Sequence, residues 1–140
     1  MKNKKRICII LDNPARDLKG LLLLSLYLVD KFDVCLVEQY NKREIYLLNP
    51  SIIIFHNARK NNISEIEYCK KYNIKTCILD TEGGYDSFGV MKEVINKELK
   101  KNIKFIDLYF CWGLYMYKEL IKNINNKNQK KISLSGSPKG

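Results

Sequence analysis

Short, solidly apolar runs alternate with longer amphipathic ones along the chain. Residues 7–11 read Ile-Cys-Ile-Ile-Leu and are cut off by Asp12-Asn13-Pro14. Similar runs recur at 32–37, 51–55, 76–79, 105–110 and 132–134. Runs this short, apolar throughout and separated by helical stretches predict parallel strands buried on both faces. Between them the apolar residues recur at helical spacing. Helices are predicted over 15–30, 42–48, 64–72, 88–99 and 114–124. Ile63, Ile66 and Cys69 share a face of the third. Phe88, Met91, Val94, Ile95 and Leu99 share a face of the fourth, and Leu114, Tyr117, Ile121 and Ile124 a face of the last. Asn13 fits a helix N-cap, with Pro14 in the first turn. The stretch 21–29 is apolar but for Ser25, far short of the roughly 20 residues of a membrane span, and predicts a buried helix. The polar stretch 123–131 predicts a mobile loop. The alternation as a whole predicts an α/β fold, a three-layer α/β/α Rossmann-like domain with about six mostly parallel strands.

Composition narrows the picture. At 140 residues the chain has the size of one domain. Gly (7) and Pro (3) are too few for a disordered or collagenous chain. The five cysteines show no C-x-x-C spacing and four of them sit in strand-like runs, so they read as reduced core residues and no metal site is expected. The early break at Asp12-Asn13-Pro14 argues against a signal peptide. The net charge of +10 comes mostly from Lys. Part of it reads as compositional bias. The densest stretch, residues 92–131, holds 10 Lys against 4 acids. It is either a solvated helix face or a surface that meets anionic lipid or another polyanion.

In an open parallel sheet, ligands bind beyond the carboxyl ends of the strands. The residues expected there are Asp12, Asn13 and Arg16 after the first strand and His56, Asn57 and Arg59 after the third. Asp80, Glu82, Gly83 and Gly84 follow the fourth, Trp112 the fifth, and Gly136 and Ser137 the sixth. The opposite rim reads as plain Lys and Asn. The loop after the fourth strand is the expected centre. A carboxylate at the end of a buried strand suits a general base, and the Gly-Gly pair allows close backbone approach by a ligand. The structural alternative is that Glu82 caps the next turn and Gly83-Gly84 merely turns the chain, and the others have alternatives too. Asn13 caps a helix or contacts a ligand; His56 carries a proton or bonds to backbone. Arg16 and Arg59 clamp an anion or face solvent. Trp112 stacks on a sugar or base or packs under a loop. G-x-G-x-x-G, G-x-x-x-x-G-K-[ST] and G-x-S-x-G are all absent.

The runs ICIILDNPARDLKGLLLLSLYL, IIIFHNARKNN, ILDTEGGYDSFG, DLYFCWG and ISLSGSPKG together resemble the amino-terminal half of bacterial surface carbohydrate biosynthesis proteins. These are glycosyltransferase-like proteins of two-domain GT-B architecture, linked to capsule, lipopolysaccharide and O-antigen. The resemblance covers nearly the whole chain. It is most specific in the Asp80-x-Glu82-Gly83-Gly84 loop, the Trp112-Gly113 pair and the Gly136-Ser137-Pro138 element, which in the family continues as G-[NS]-P-[RK]-x-D. The loop also resembles the [DE]-[DE]-G motif of sialyl- and Kdo-type transferases, with Thr81 where that motif has a second acid. The resemblance implies inverting transfer of a sugar from a nucleotide sugar, a CMP- or UDP-sugar, to a glycan or lipid-linked acceptor. On it, Glu82 is the catalytic base and Asp80 orients it or binds a sugar hydroxyl. Arg16, His56 and Arg59 hold the acceptor's anionic groups. The domain itself holds no cofactor. A second, nucleotide-sugar-binding domain is expected beyond residue 140, with a cytoplasmic location at the inner face of the membrane and no nucleic-acid partner. Two other readings share the pattern. One is a stand-alone flavodoxin- or receiver-like binding module. The other is half of a sugar-nucleotide epimerase.

Overall fold

A computed structural model describes residues 3–80, 93, 95–111 and 113–136. The fold is α/β and Rossmann-like, built on six strands. These are β1 (Arg6–Leu11), β2 (Asp33–Glu38), β3 (Ile52–Phe55), β4 (Lys75–Leu79), β5 (Leu108–Cys111) and β6 (Ile132–Leu134). They form one sheet in the order β2-β1-β3-β4-β5-β6. Every adjacent pair is parallel, with Ile9 beside both Leu36 and Ile54, and Ile78 beside both Phe55 and Tyr109. All carboxyl ends therefore reach the same rim. The order reverses direction between β1 and β3, which makes the crevice between their ends the switch point where such sheets bind ligands.

The connections are α1 (Pro14–Leu28), tight 3₁₀ turns over Gln39–Leu48, α2 (Ile63–Lys71), α3 (Leu114–Asn123) and the single turn α4 (Asn126–Gln129). Helical turns over Ile95–Leu99, Lys100–Asn102 and Ile103–Phe105 lead into β5. Alternation along the strands divides the core in two. Cys8, Ile10, Ile53, Phe55, Ile78, Tyr109 and Cys111 face Ile66 and Cys69 of α2, Leu99, Ile103, and Met116 and Leu120 of α3. Ile7, Ile9, Leu11 and Ile54 face Leu21 of α1, with Leu18, Leu24 and Leu28 packed alongside. This division follows from right-handed crossovers. The step from β1 to β2 runs one way across the sheet and the later steps run the other. Among the described helices α1 alone lies on the second face, and Leu108 there is 39% exposed.

Helix ends follow local chemistry. At the end of α2, Asn73 turns left-handed at φ 57°. Ile74 N–H then donates to Cys69 C=O and Asn73 N–H to Lys70 C=O, which is a Schellman ending. The β4–β5 junction is closed by Asp107, whose carboxylate accepts from Thr76 N–H at 2.9 Å and from Lys75 Nζ at 3.3 Å.

Three expectations fail here. Residues 21–29 are not a buried helix: Leu22, Leu23, Leu26, Tyr27 and Val29 are all exposed, because α1 packs on a sheet from one side with nothing described over its outer face. Residues 123–131 are not simply a loop. Asn125 caps α4 by accepting from Asn128 N–H, Asn128 is buried, and Gln129 donates to the Ile121 and Ile124 carbonyls. Of the face expected on α3, Ile124 is buried and Tyr117 and Ile121 pack half-buried against the core beside Met116 and Leu120; Leu114 is exposed, since it begins the helix at the rim. Residues 42–48 form 3₁₀ turns in which Ile45 alone is buried. Of the face expected on 88–99, Leu99 is buried; the side chains of Phe88, Met91, Val94 and Ile95 lie outside the described residues.

Candidate functional site

At the end of β1 the chain turns through Asp12 into α1. Asn13 is the N-cap, and its Oδ1 accepts from Arg16 N–H at 3.3 Å. Asp17, in the first turn, accepts from Asn13 N–H at 3.2 Å. The two side chains thus satisfy two donors at the same helix end, much as a capping box does. Asp17 is 5% exposed. Its carboxylate takes Arg16 in a fork, Nε to Oδ1 at 2.6 Å and Nη2 to Oδ2 at 2.8 Å. Arg16 Nη2 also donates to Asp12 Oδ2 at 3.0 Å. The bond to Asp17, and Asp12 behind it, hold the guanidinium proton more firmly than usual. Two carboxylates therefore orient Arg16, and its fork is already engaged. The positive end of α1, where a dinucleotide-binding fold seats a phosphate, is filled by the protein's own Asn13 and Asp17.

Across the switch point, His56 follows β3 and is 3% exposed. Its Nε2 lies 3.7 Å from Asp12 Oδ1, an ion pair when the ring is protonated. Asp12 thus touches Arg16 with one oxygen and faces His56 with the other. Asn57 is buried and shapes the loop. Its Oδ1 accepts from Arg59 N–H at 3.1 Å and from Asn62 Nδ2 at 3.0 Å. Asn62 is fully buried and also donates to Asn57 C=O at 3.2 Å. Lys42 ties the outside of this loop through Asn61 C=O and Glu65. The loop is thereby fixed, and Arg59 stands on a rigid base.

Asp80 directly follows β4 and is 3% exposed. Tyr109 of β5, 1% exposed, donates its hydroxyl to Asp80 Oδ2 at 2.7 Å. Burial raises the Tyr109 phenol well above its ordinary value, the Asp80 charge raises it further, and the positive charge of Arg59 opposes both. Burial also raises the Cys111 thiol to about 12, with Asp80 adding to it. Asp80 and Arg59 therefore act on the same buried group from adjacent strand ends.

The structure brings Asp12, Asn13, Arg16, His56, Asn57, Arg59 and Asp80 onto one rim. Gly136, at φ 80°, follows β6 farther along it. Glu82, Gly83, Gly84, Trp112 and Ser137 lie outside the described residues. Asp17 and Tyr109 are site residues that the sequence reading passes over. A tyrosine inside an apolar strand is the available signal for Tyr109, since a buried phenol needs a partner. Among the described residues, no group of three or more His, Cys, Asp or Glu is arranged to hold a metal ion. The opposite rim is richer than Lys and Asn. Tyr46, Tyr68 and Tyr72 stack there with centroids 4.6 and 4.4 Å apart, beside a shallow cleft of about 580 Å³. That stack fastens α2 to the 3₁₀ turns. The cleft is lined by lysines, asparagines and these rings rather than by buried carboxylates.

No protein-family model matches the sequence, and no curated protein gives a significant match. Among solved structures, the chain is similar in fold to a UDP-N-acetylglucosamine 2-epimerase of GT-B-like architecture. The TM-score is 0.63 over 96% of this chain, at 15% sequence identity. The chain spans about half the length of that protein, 49%. No described helix is long and apolar enough to cross a membrane.

Proposed function

We propose that the chain is the acceptor-side domain of a GT-B-type glycosyltransferase of surface carbohydrate biosynthesis. It would move a sugar from a CMP- or UDP-sugar to a glycan or lipid-linked acceptor. The observation that carries the reading is the placement of Asp12, Arg16, His56, Arg59 and Asp80 on one rim, beside the switch point of a sheet shared with a nucleotide-sugar enzyme. Such a rim offers buried carboxylates that accept from sugar hydroxyls and oriented cations that donate to them. The capped N-terminus of α1 leaves the nucleotide phosphates to a second domain beyond residue 140.

In this scheme Glu82 takes the acceptor hydroxyl's proton as its oxygen attacks the anomeric carbon, and the nucleotide leaves with the bonding pair. Asp80, fixed by Tyr109, orients the acceptor. The test uses a protein carrying both domains, radiolabelled nucleotide sugars and lipid-linked or glycan acceptors. Sugar transfer is expected, with Glu82→Gln lowering kcat at least 100-fold. Unchanged transfer in that variant removes the assigned base. Transfer by the 140 residues alone removes the split site.

The fold likeness itself favours a second reading, half of a sugar-nucleotide epimerase. Recovery of an epimerised nucleotide sugar with no transferred sugar decides for it. Binding of a small ligand with neither reaction decides for a regulatory module.

A further inference from the structure

Among the described residues, thirteen large apolar side chains are exposed, and five of them fall between Leu22 and Val29. Four of the five form a stripe on α1: Leu22 at 46% exposed, Leu23 at 57%, Leu26 at 69% and Tyr27 at 78%. Lys19 and Asp30, both exposed, extend the stripe at its two ends. The spacing from Lys19 is i, i+3, i+4, i+7, i+8 and i+11, one face of a helix. The helical path runs on past Leu28, with Val29 N–H donating to Ser25 C=O and Phe32 N–H to Leu28 C=O. The stripe lies opposite Leu21, which is buried against the sheet.

The order of these six residues has a symmetry of its own. Pair α1 with an antiparallel copy of itself about an axis midway between Leu24 and Ser25. Leu23 then faces Leu26 of the second copy and Lys19 faces Asp30, while Leu22 and Tyr27 lie on the two flanks, each beside its own counterpart. Each apolar residue meets an apolar one, and each terminal charge meets its opposite. Neither Lys19 nor Asp30 is used in an ion pair among the described residues. From the fractional exposures, the face offers roughly 600 Å² per copy, so about 1,200 Å² in all, the lower end of a specific protein interface. A shallow crossing of about 20° keeps the two charged ends in reach.

We propose that α1 is a homodimerisation helix, paired antiparallel with α1 of a second copy of this chain about a two-fold axis. An isologous contact of this kind needs a self-complementary patch, and the stripe is one. A lipid surface fits it less well. One end carries Asp30, and the lysines of 97–131 ride on the helical turns before β5, on α3 and on the α4 segment; the first two of these pack on the other face of the sheet. An anionic membrane would draw that face, not this one. The pairing leaves the rim free, because Asn13 and Arg16 lie before the paired stretch. It is independent of the sugar chemistry.

Sedimentation velocity on the 140-residue chain between 1 and 200 μM tests this. A reversible dimer is expected. Leu26→Asp should make it monomeric at every concentration, with an unchanged circular dichroism spectrum, since the side chain faces outward. Lys19→Asp sets two like-charged pairs across the two-fold and should weaken the dimer at least tenfold. Lys19→Asp with Asp30→Lys should restore it to within about threefold. A chain that is monomeric throughout overturns the proposal, as does a dimer indifferent to Leu26→Asp. Failure of the charge exchange to restore pairing overturns the antiparallel register. Co-flotation with phosphatidylserine vesicles, lost in Leu26→Asp and without a dimer in solution, assigns the stripe to lipid instead.

Discussion

Replacing Tyr109 with Phe removes one oxygen from a site sealed from water. The phenol donates to Asp80 at 2.7 Å, and both residues are at least 97% buried. A hydrogen bond to a charged group contributes about 1.5–3 kcal/mol. The variant keeps the ring, so no sizeable cavity forms, and the loss is the bond itself. We expect Tyr109→Phe to lower unfolding free energy by about 2 kcal/mol. In a chain of this size that lowers Tm by about 7 °C. Urea unfolding at pH 7, followed by circular dichroism, measures the first quantity and a thermal melt the second. Asp80→Asn keeps an acceptor but discards the charge. A double-mutant cycle over the pair should return a coupling energy of about 1–2 kcal/mol. Absorbance titration adds a readout that packing alone would not move. Of nine tyrosines, Tyr109 should ionise only as the protein unfolds, so Tyr109→Phe leaves the early part of the curve unchanged. A variant within 0.5 kcal/mol of the parent, or a coupling near zero, refutes the claim that this bond holds Asp80 in place.

Alkaline pH should destabilise the fold. Burial raises the Cys8 and Cys111 thiols to about 12 and those of Cys69 and Cys77 to about 11, from an ordinary 9.0. A raised folded pKa means that the folded state holds a proton the unfolded chain releases. The stability these thiols contribute is complete below pH 9 and is lost as pH rises toward 11–12. Urea midpoints at pH 7, 9 and 10.5 should be level to pH 9 and then drop; a level profile throughout contradicts it. Asn13→Ala removes the α1 cap and should cost about 1 kcal/mol, measured by the same denaturation, whereas Asn13→Ser should retain most of it. Asn73→Ala keeps a β-carbon at φ 57° but loses the short polar side chain that tolerates the left-handed region, and should cost about 1 kcal/mol, with Asn73→Gly near neutral.

The rim was readable because parallel pairing is a strong rule. Once the apolar runs 7–11, 51–55 and 76–79 are parallel strands, whatever follows each must meet at one edge, and Asp12, His56 and Asp80 do. The cap at Asn13 was readable from its neighbour Pro14. Other features were hidden for physical reasons. Asp17 is adjacent to Arg16 in the chain, and only the first turn of a real helix shows that it grips the guanidinium rather than facing away. Asn57 looks like a ligand contact by position but folds its amide oxygen into its own loop. The buried reading of 21–29 failed because hydrophobicity reports that a residue prefers cover, not that this chain supplies it. That uncovered face of α1 is what carries the proposed pairing.

Charge shows what kind of ligand the rim suits. The chain carries +10, and that excess would point to a polyanion if it lay at the site. It does not lie there. Among the described residues the rim holds Asp12, Asp17 and Asp80 against Arg16 and Arg59, with His56 beside Asp12, and Arg16 is already bound by two of the carboxylates. The surplus is in lysines outside the rim, such as Lys97, Lys100, Lys101, Lys118 and Lys122, which are exposed. At physiological salt, exposed charges act over about 8 Å, so distant lysines add little potential at Asp80. On the proposed reading, a rim with no cationic surplus but with fixed acceptors and donors selects by hydrogen bonding, and a polyhydroxylated ligand is the class that rewards it. Binding of a neutral oligosaccharide acceptor should then change less than threefold between 50 and 500 mM NaCl, measured by titration calorimetry. A loss of tenfold or more over that range would mean that the lysine surface, and not the rim, takes the ligand.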